Sequence, residues 1–417
     1  MAPLWQTGLQ TDFYLLVVAA VYHADGLWGH ATFDLYPRSG VQGSNFVVAA
    51  GMHEAAEALQ SMSFPENTIS WMKEQPAFAR ASEGWWESLR HFRFSGDIHA
   101  VAEGTVIAPG TPMMRVTAPL QQATLIQTRL LQLIPAACGV ATRAAQCSLA
   151  SKGKRLYEFS SRRSPSGESA IMTSRAAIVG GFYATSNGAS AASLGVPVMG
   201  TLSSDFFAAY GGVGPALASF ALHFPDVGYV NLPAGKVDQA VAQLAPYKKQ
   251  LRVVRLDHPQ LARAARALRP RLDAAGMKHV RILGSGSLDA KRIQELGEAP
   301  VDLLAVGKHL LAGGPVPCSY RIAEMWRGPE AMPSTGKGAS KWPGCKQVLR
   351  RANHDLICLE SEIGLYEGEP LLEPLMVAGE ITRIRPEVGE SRGRCLAGLG
   401  ERDRILRVSE GVEKLKG

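Results

Sequence analysis

The chain has 417 residues, 46% of them hydrophobic and 19% charged, enough apolar material for a large buried core, which excludes a disordered or fibrous chain. Its 44 Lys and Arg against 37 Asp and Glu give a net charge of +7, a balance that favours polyanionic partners from nucleic acid to phosphorylated metabolites. No basic tail or aromatic-interleaved basic stretch is present, and Arg263, Arg266, Arg269 and Arg271 recur at helical spacing as a solvated helix face would, so the metabolite reading is preferred over nucleic acid. Thr11 and Asp12 are capping residues ahead of an apolar run over 14–22, which reads as a buried helix and is about half the ~20 residues needed to span a bilayer. Residues 31–36 and 45–49 read as strands, 53–59 as a helix, and 99–107 with 112–117 as two strands joined by a turn at Pro109-Gly110.

From about Gln121 the rhythm changes. Strand candidates at 155–159, 196–199, 228–232, 252–256, 279–283 and 301–306 alternate with helical segments such as 261–275 and 288–296. Strands separated by helices indicate βαβ units and a parallel sheet, and their number suggests a barrel, whose chemistry sits at the C-terminal ends of the strands. From about Met325 the pattern loosens into Gly-, Pro- and Lys-rich sequence and then short strands such as 355–359. The expected organisation is α/β: an α+β domain over 1–120, a barrel over 121–325, and a segment over 326–417 that returns to the first domain. Cys138, Cys147, Cys318, Cys345, Cys358 and Cys395 show no CxxC spacing, as expected for reduced thiols in a cytoplasmic protein without structural zinc.

The residues just past each strand share one mouth. They are Ser160-Ser161-Arg162-Arg163 after the first, Gly200-Thr201 to Ser204-Asp205 after the second, and Asp257-His258-Pro259 after the fourth. Gly284-Ser285-Gly286-Ser287 follows the fifth, and Gly307-Lys308, with Gly313-Gly314 beyond, follows the sixth. Adjacent arginines, small hydroxyls, glycines that expose backbone N–H groups and an aspartate make a site for phosphates with a divalent ion. Ser285, Gly286, Ser287, Gly307, Lys308, Gly313 and Gly314 are the candidate phosphate-binding residues. An Arg pair is usually surface charge and a Gly-Ser-Gly-Ser stretch an ordinary turn, but their place at the catalytic face favours function. Asp257 fits both a helix N-cap and a site carboxylate. His258 reads as a local hydrogen-bonding group, since no second His lies at ligand spacing.

These residues also carry a resemblance. Thr11-Asp12-Phe13-Tyr14, Glu103-Gly104-Thr105, Glu158 to Arg163, Ser174 to Ala177, Gly180 to Asn187, Gly195 to Thr201, Arg255-Leu256-Asp257 and Pro343 to Gln347 occur in the order seen in nicotinate phosphoribosyltransferases. The resemblance spans nearly the whole chain. It implies a type II phosphoribosyltransferase: an incomplete α/β barrel beside an α+β domain built from both chain ends, in homodimers with shared active sites. Such enzymes join nicotinate to phosphoribosyl pyrophosphate (PRPP), which brings Mg²⁺, giving nicotinate mononucleotide and pyrophosphate in NAD biosynthesis. The resemblance places Tyr14 at the pyridine ring of a neighbouring subunit's site and Arg162 and Arg163 on substrate anions. It puts Thr201 and Arg255 among the substrate-binding positions and Asp257 at a catalytic one.

Four positions depart from the family pattern. Ser204 stands where the family has the histidine that ATP phosphorylates, and a serine forms no phosphoramidate, so no ATP coupling is expected through this catalytic position. Tyr183 replaces an aspartate near the pyridine. Asp257-His258-Pro259-Gln260 keeps the first carboxylate of Asp-Ser-Gly-Asp and loses the second, and Lys308 replaces a threonine, exchanging a hydroxyl for a cation that can bind phosphate. Two readings follow: an active phosphoribosyltransferase for nicotinate or a related aromatic acid, or a homologue without catalysis that serves as a binding or regulatory protein. Retention of the arginine pair, Asp257 and the glycine-rich loops favours the first.

Overall fold

The computed structural model describes residues 7–224, 228–232, 237–328 and 330–416. The chain divides into two compact units, one formed by residues up to Thr142 together with those from Gly313 onward, the other by Arg143–Ala312.

The first unit is built around an antiparallel seven-stranded sheet that mixes both ends of the chain. Its order is Glu330–Pro333, Cys318–Arg327, His30–Pro37, Met114–Pro119, Asp97–Ala100, Glu373–Val377, Glu380–Ile381. The strand Cys318–Arg327 belongs to this sheet and not to the barrel expected over 121–325. Cross-strand pairing along His30–Pro37 holds it there, with Leu35 opposite Tyr320 and Ala31 opposite Met325. The strand expected over 99–107 is split into Asp97–Ala100 and Val106–Ile107, on two different sheets. Apolar residues at helical spacing form the helix Phe13–Ala24, but Asp12 does not cap it through its side chain. That carboxylate accepts instead from Thr128 Oγ1 at 3.0 Å, tying the helix start to the later helix Gln127–Ala150.

The second unit holds six parallel strands: Arg155–Glu158, Ala184–Thr185, Tyr229–Leu232, Val253–Asp257, Arg281–Ser285 and Leu303–Val306. Numbered in that chain order, they lie side by side as second, first, sixth, fifth, fourth, third. The second strand is the one misplaced by sequence, which put it at 196–199. Pro197 has no N–H for a ladder, and only a single parallel bridge forms there, Val198 to Thr185. Residues that alternate along the strands make an interior cluster of Tyr157, Val253, Leu283, Leu303 and Ala305. The helix Leu261–Ala274 buries Leu261, Ala265, Leu268 and Leu272. Its opposite face carries the expected arginines in solvent, and Arg269 folds back to Asp273 and to the carbonyls of Met277 and Val280.

No helix among the described residues is long and apolar enough to cross a membrane.

Candidate active site

Parallel strands end together, so side chains at their C-terminal ends converge without any sequence proximity. Asp257 ends the fourth strand and pairs in register with Ser285, which ends the fifth; Arg255 pairs with Leu283. From this position the Arg255 guanidinium meets three groups named by the strand-end reading. Nε donates to Ser285 Oγ at 2.8 Å, Nη1 to Thr201 Oγ1 at 3.3 Å and Nη2 to Asp257 Oδ2 at 2.7 Å. It also lies over the Phe159 ring, 5.5 Å from the centroid. The arginine is mostly covered and the carboxylate is about half exposed. Asp257 Oδ1 makes no hydrogen bond among the described residues, which leaves one carboxylate oxygen available at the mouth.

Gly286 follows at φ +117°, a conformation that suits glycine, and a Cβ there would stand 3.0 Å from the His258 carbonyl oxygen. Ser287 continues at φ +59°. Arg292 holds this turn by donating to the carbonyls of Gly286 and Ser287 at 3.0 and 3.3 Å. His258 is a local hydrogen-bonding group, its Nδ1 accepting from the Gln260 N–H at 2.9 Å.

Past the first strand, Ser161–Arg163 form a single 3₁₀ turn in which Arg162 and Arg163 are exposed. Neither guanidinium makes an ion pair or hydrogen bond among the described residues. Past the sixth strand, Gly307 leads into the turn Lys308–Leu310 with Lys308 exposed. Arg143, whose pKa burial lowers to about 10, donates to the Leu310 carbonyl at 2.7 Å and braces that turn.

Other predicted residues lie apart from the Arg255 cluster's hydrogen bonds. Ser204 begins the short helix Ser204–Ala209 and is exposed, with no side-chain partner among the described residues; Ser203 caps the helix. Tyr183 packs under Arg155, 4.3 Å from guanidinium to ring centroid, and edge-on to Tyr157, beside the residue that opens the first strand. Tyr14, 56% exposed on the helix Phe13–Ala24, belongs to the other compact unit, as do Gly313 and Gly314. Sequence reasoning passed over Phe159 and the buried Glu158 as site residues. Their signal was an acid and an aromatic directly before the hydroxyl-and-arginine turn.

Cys345, Cys358 and Cys395 are free thiols. Burial raises their pKa values, to about 12, 11 and 12 respectively, and Cys345 Sγ donates to Glu360 at 3.1 Å. A zinc site needs its ligands grouped, and among the described residues no three His, Cys, Asp or Glu side chains are so placed, so elemental analysis is expected to find no stoichiometric zinc; about one zinc per chain overturns this.

Comparison with known proteins points to one family. A nicotinate phosphoribosyltransferase from Mycobacterium tuberculosis, pncB2, is 31% identical over 392 residues, covering 90% of this chain and 83% of that protein. The chain belongs to the nicotinate phosphoribosyltransferase family. The family model for the nicotinate phosphoribosyltransferase N-terminal domain matches residues 9–135. A nicotinate phosphoribosyltransferase of Bacillus subtilis is 30% identical over 379 residues, covering 87% of this chain and 76% of its own length. The crystal structure of human nicotinic acid phosphoribosyltransferase has the same fold, with a TM-score of 0.83 at 21% identity over 97% of this chain and 99% of that one. A nicotinate-nucleotide pyrophosphorylase from Pyrococcus furiosus also shares the fold, with a TM-score of 0.78 at 23% identity over 95% and 96% of the two chains.

Proposed function

We propose that this member of the nicotinate phosphoribosyltransferase family joins nicotinate to PRPP, releasing nicotinate mononucleotide and pyrophosphate in NAD biosynthesis or salvage. The observation that carries the reading is the convergence of Arg255, Asp257, Ser285 and Thr201 at the ends of parallel strands in a chain of this family. Displacement at an anomeric carbon passes through an oxocarbenium-like transition state with pyrophosphate departing. The enzyme must therefore neutralise departing charge and orient two reactants, and no covalent nucleophile is required. Arg162, Arg163 and Lys308 supply cations for substrate anions. Ser285, Gly286, Ser287 and Gly307 supply hydroxyl and N–H donors, whereas Tyr183, packed on Arg155 at the start of the first strand, stands away from these strand ends. Asp257, turned by Arg255, presents its second oxygen toward the ribose or toward Mg²⁺. One carboxylate fits the way Mg²⁺ is bound when phosphates provide its remaining oxygens; the ion would neutralise charge on the pyrophosphate.

In this reading the parallel sheet is an incomplete α/β barrel. The first strand lies beside the sixth, and among the six the second and third alone are sequence neighbours without a pairing. The α+β domain is then drawn from both chain ends, up to 142 and from 313, and the barrel from 143–312, because 121–142 and 313–325, expected in the barrel, group with the first unit. A homodimer brings exposed Tyr14 to the partner's pyridine site.

Ser204 sets the energetics. Without a phosphorylatable histidine, transfer runs on PRPP alone, driven by release and removal of pyrophosphate. The test is PRPP consumption with a panel of pyridine and other heteroaromatic acids, with and without γ-labelled ATP. Expected are nicotinate mononucleotide and pyrophosphate in equal amounts, no acid-labile protein label, and a kcat/KM unchanged by ATP. Acid-labile labelling with a large ATP-dependent rise overturns the uncoupled mechanism; no product from any acid overturns the activity.

A further inference from the structure

Glu158 ends the first strand with its side chain wholly buried. Its neighbours Tyr157 and Phe159 join the interior cluster. By the alternation of strand side chains, Glu158 faces the other way, and there its carboxylate collects hydrogen bonds from three separate elements. Oε1 accepts from both the N–H and the hydroxyl of Ser160. Oε2 accepts from Ser174 Oγ at 2.9 Å, on the helix Gly167–Val179, and from Thr185 Oγ1, on the second strand. Thr185 Oγ1 in turn accepts the Asn187 N–H at 3.0 Å, and Asn187 caps the next helix.

The Ser160 contact is the one with a consequence for chemistry. The Ser160 carbonyl accepts the Arg163 N–H at 2.7 Å, so Ser160 is the root of the turn that presents Arg162 and Arg163. Within that turn the Ser161 and Ser164 hydroxyls have no hydrogen-bond partner among the described residues. Side-chain anchoring of the hydroxyls around the arginine pair therefore runs through Ser160 to Glu158. An ionised carboxylate is acceptor-only and suits four donors on two oxygens, whereas a glutamine amide puts an NH₂ in place of one of those oxygens, so the hydroxyls that donated to it must turn round to accept.

We infer that Glu158 is a positioning residue: its buried carboxylate fixes the Ser160 turn against the helix Gly167–Val179 and the second strand, and so sets the aim of Arg162 and Arg163. The inference rests on the reading that these arginines hold substrate anions. It assigns Glu158 no contact with substrate.

A double-mutant cycle tests it, because groups that act through one another are non-additive. The variants are Glu158→Gln, the milder Ser160→Ala, the Arg162→Ala/Arg163→Ala pair, and each of the first two combined with that pair. kcat/KM for PRPP and thermal unfolding are measured for all. Expected is a drop of about tenfold or more for Glu158→Gln and about threefold for Ser160→Ala. In the arginine-less background either change should cost less than about twofold further. A merely structural carboxylate would lower kcat/KM equally in both backgrounds, and that result overturns the positioning role while leaving the arginine reading intact. Wild-type kcat/KM in the arginine-less enzyme overturns both. If Glu158→Gln does not fold, the Ser160→Ala cycle decides by the same criteria.

Discussion

Arg163→Ala is expected to lower kcat/KM by two orders of magnitude or more, and Arg162→Ala by a similar factor, with the thermal unfolding midpoint unchanged. The separation of activity from stability follows from the surroundings of the pair. Both guanidinium groups are exposed and carry no intramolecular partner among the described residues, so truncation orphans no protein group and empties no core. What is lost, in the proposed reaction, is a charge-assisted contact to a substrate anion, desolvated when the substrate binds. Removing one side of such a desolvated contact typically costs about 2–5 kcal/mol, and a hundredfold rate loss corresponds to about 2.7 kcal/mol. Lysine is expected to restore little, because it replaces a planar fork of donors by a point charge. Steady-state kinetics with PRPP and nicotinate varied separately shows which substrate each arginine holds. Near-wild-type constants for both alanine variants refute the assignment.

The strand-end rule made much of this site legible, since it needs only the strands and their direction. Thr201 and Ser285 lie 54 and 30 residues from the Arg255 that joins them, yet each follows an apolar run and so reads as part of one mouth, whereas Arg255, inside its strand, is marked only by the family resemblance. The βαβ alternation and the arginine face of the helix Leu261–Ala274 were equally readable, because burial imposes a period on the sequence. Three features were not. The second strand is two residues long, too short for any alternation to register. Asp12 has the composition of a cap but finds a better partner in Thr128, a tertiary contact no local pattern encodes. Glu158 sits in an apolar strand as a lone acid, and its role appears only when a helix and another strand bring hydroxyls to it.

Lys346→Met is expected to destabilise the fold by about 3–5 kcal/mol, the cost of breaking a buried ion pair by removing one partner. Lys346 and Asp34 are both fully buried and meet at 2.8 Å. Ser340 Oγ adds a hydrogen bond to the same aspartate oxygen at 2.8 Å, and Lys346 Nζ also donates to the Gly344 carbonyl at 2.5 Å. Asp34 lies on the interior strand His30–Pro37 and Lys346 on the strand Lys346–Arg350, so the pair joins the N-terminal part of the chain to its C-terminal part within one core. The aspartate already has one oxygen without a hydrogen-bond partner among the described residues. With the ammonium gone, Asp34 keeps only the serine, and a nearly unpaired buried carboxylate must either stay charged in an apolar core or take up a proton. Replacing both partners tests that account. Asp34→Asn/Lys346→Met removes the charges together and is expected to recover about half or more of the lost stability, because replacing an intact buried pair costs far less than orphaning one member. Denaturant unfolding of the two variants beside wild type measures both quantities. A loss below about 1 kcal/mol for Lys346→Met, or a double variant no more stable than the single one, contradicts the account.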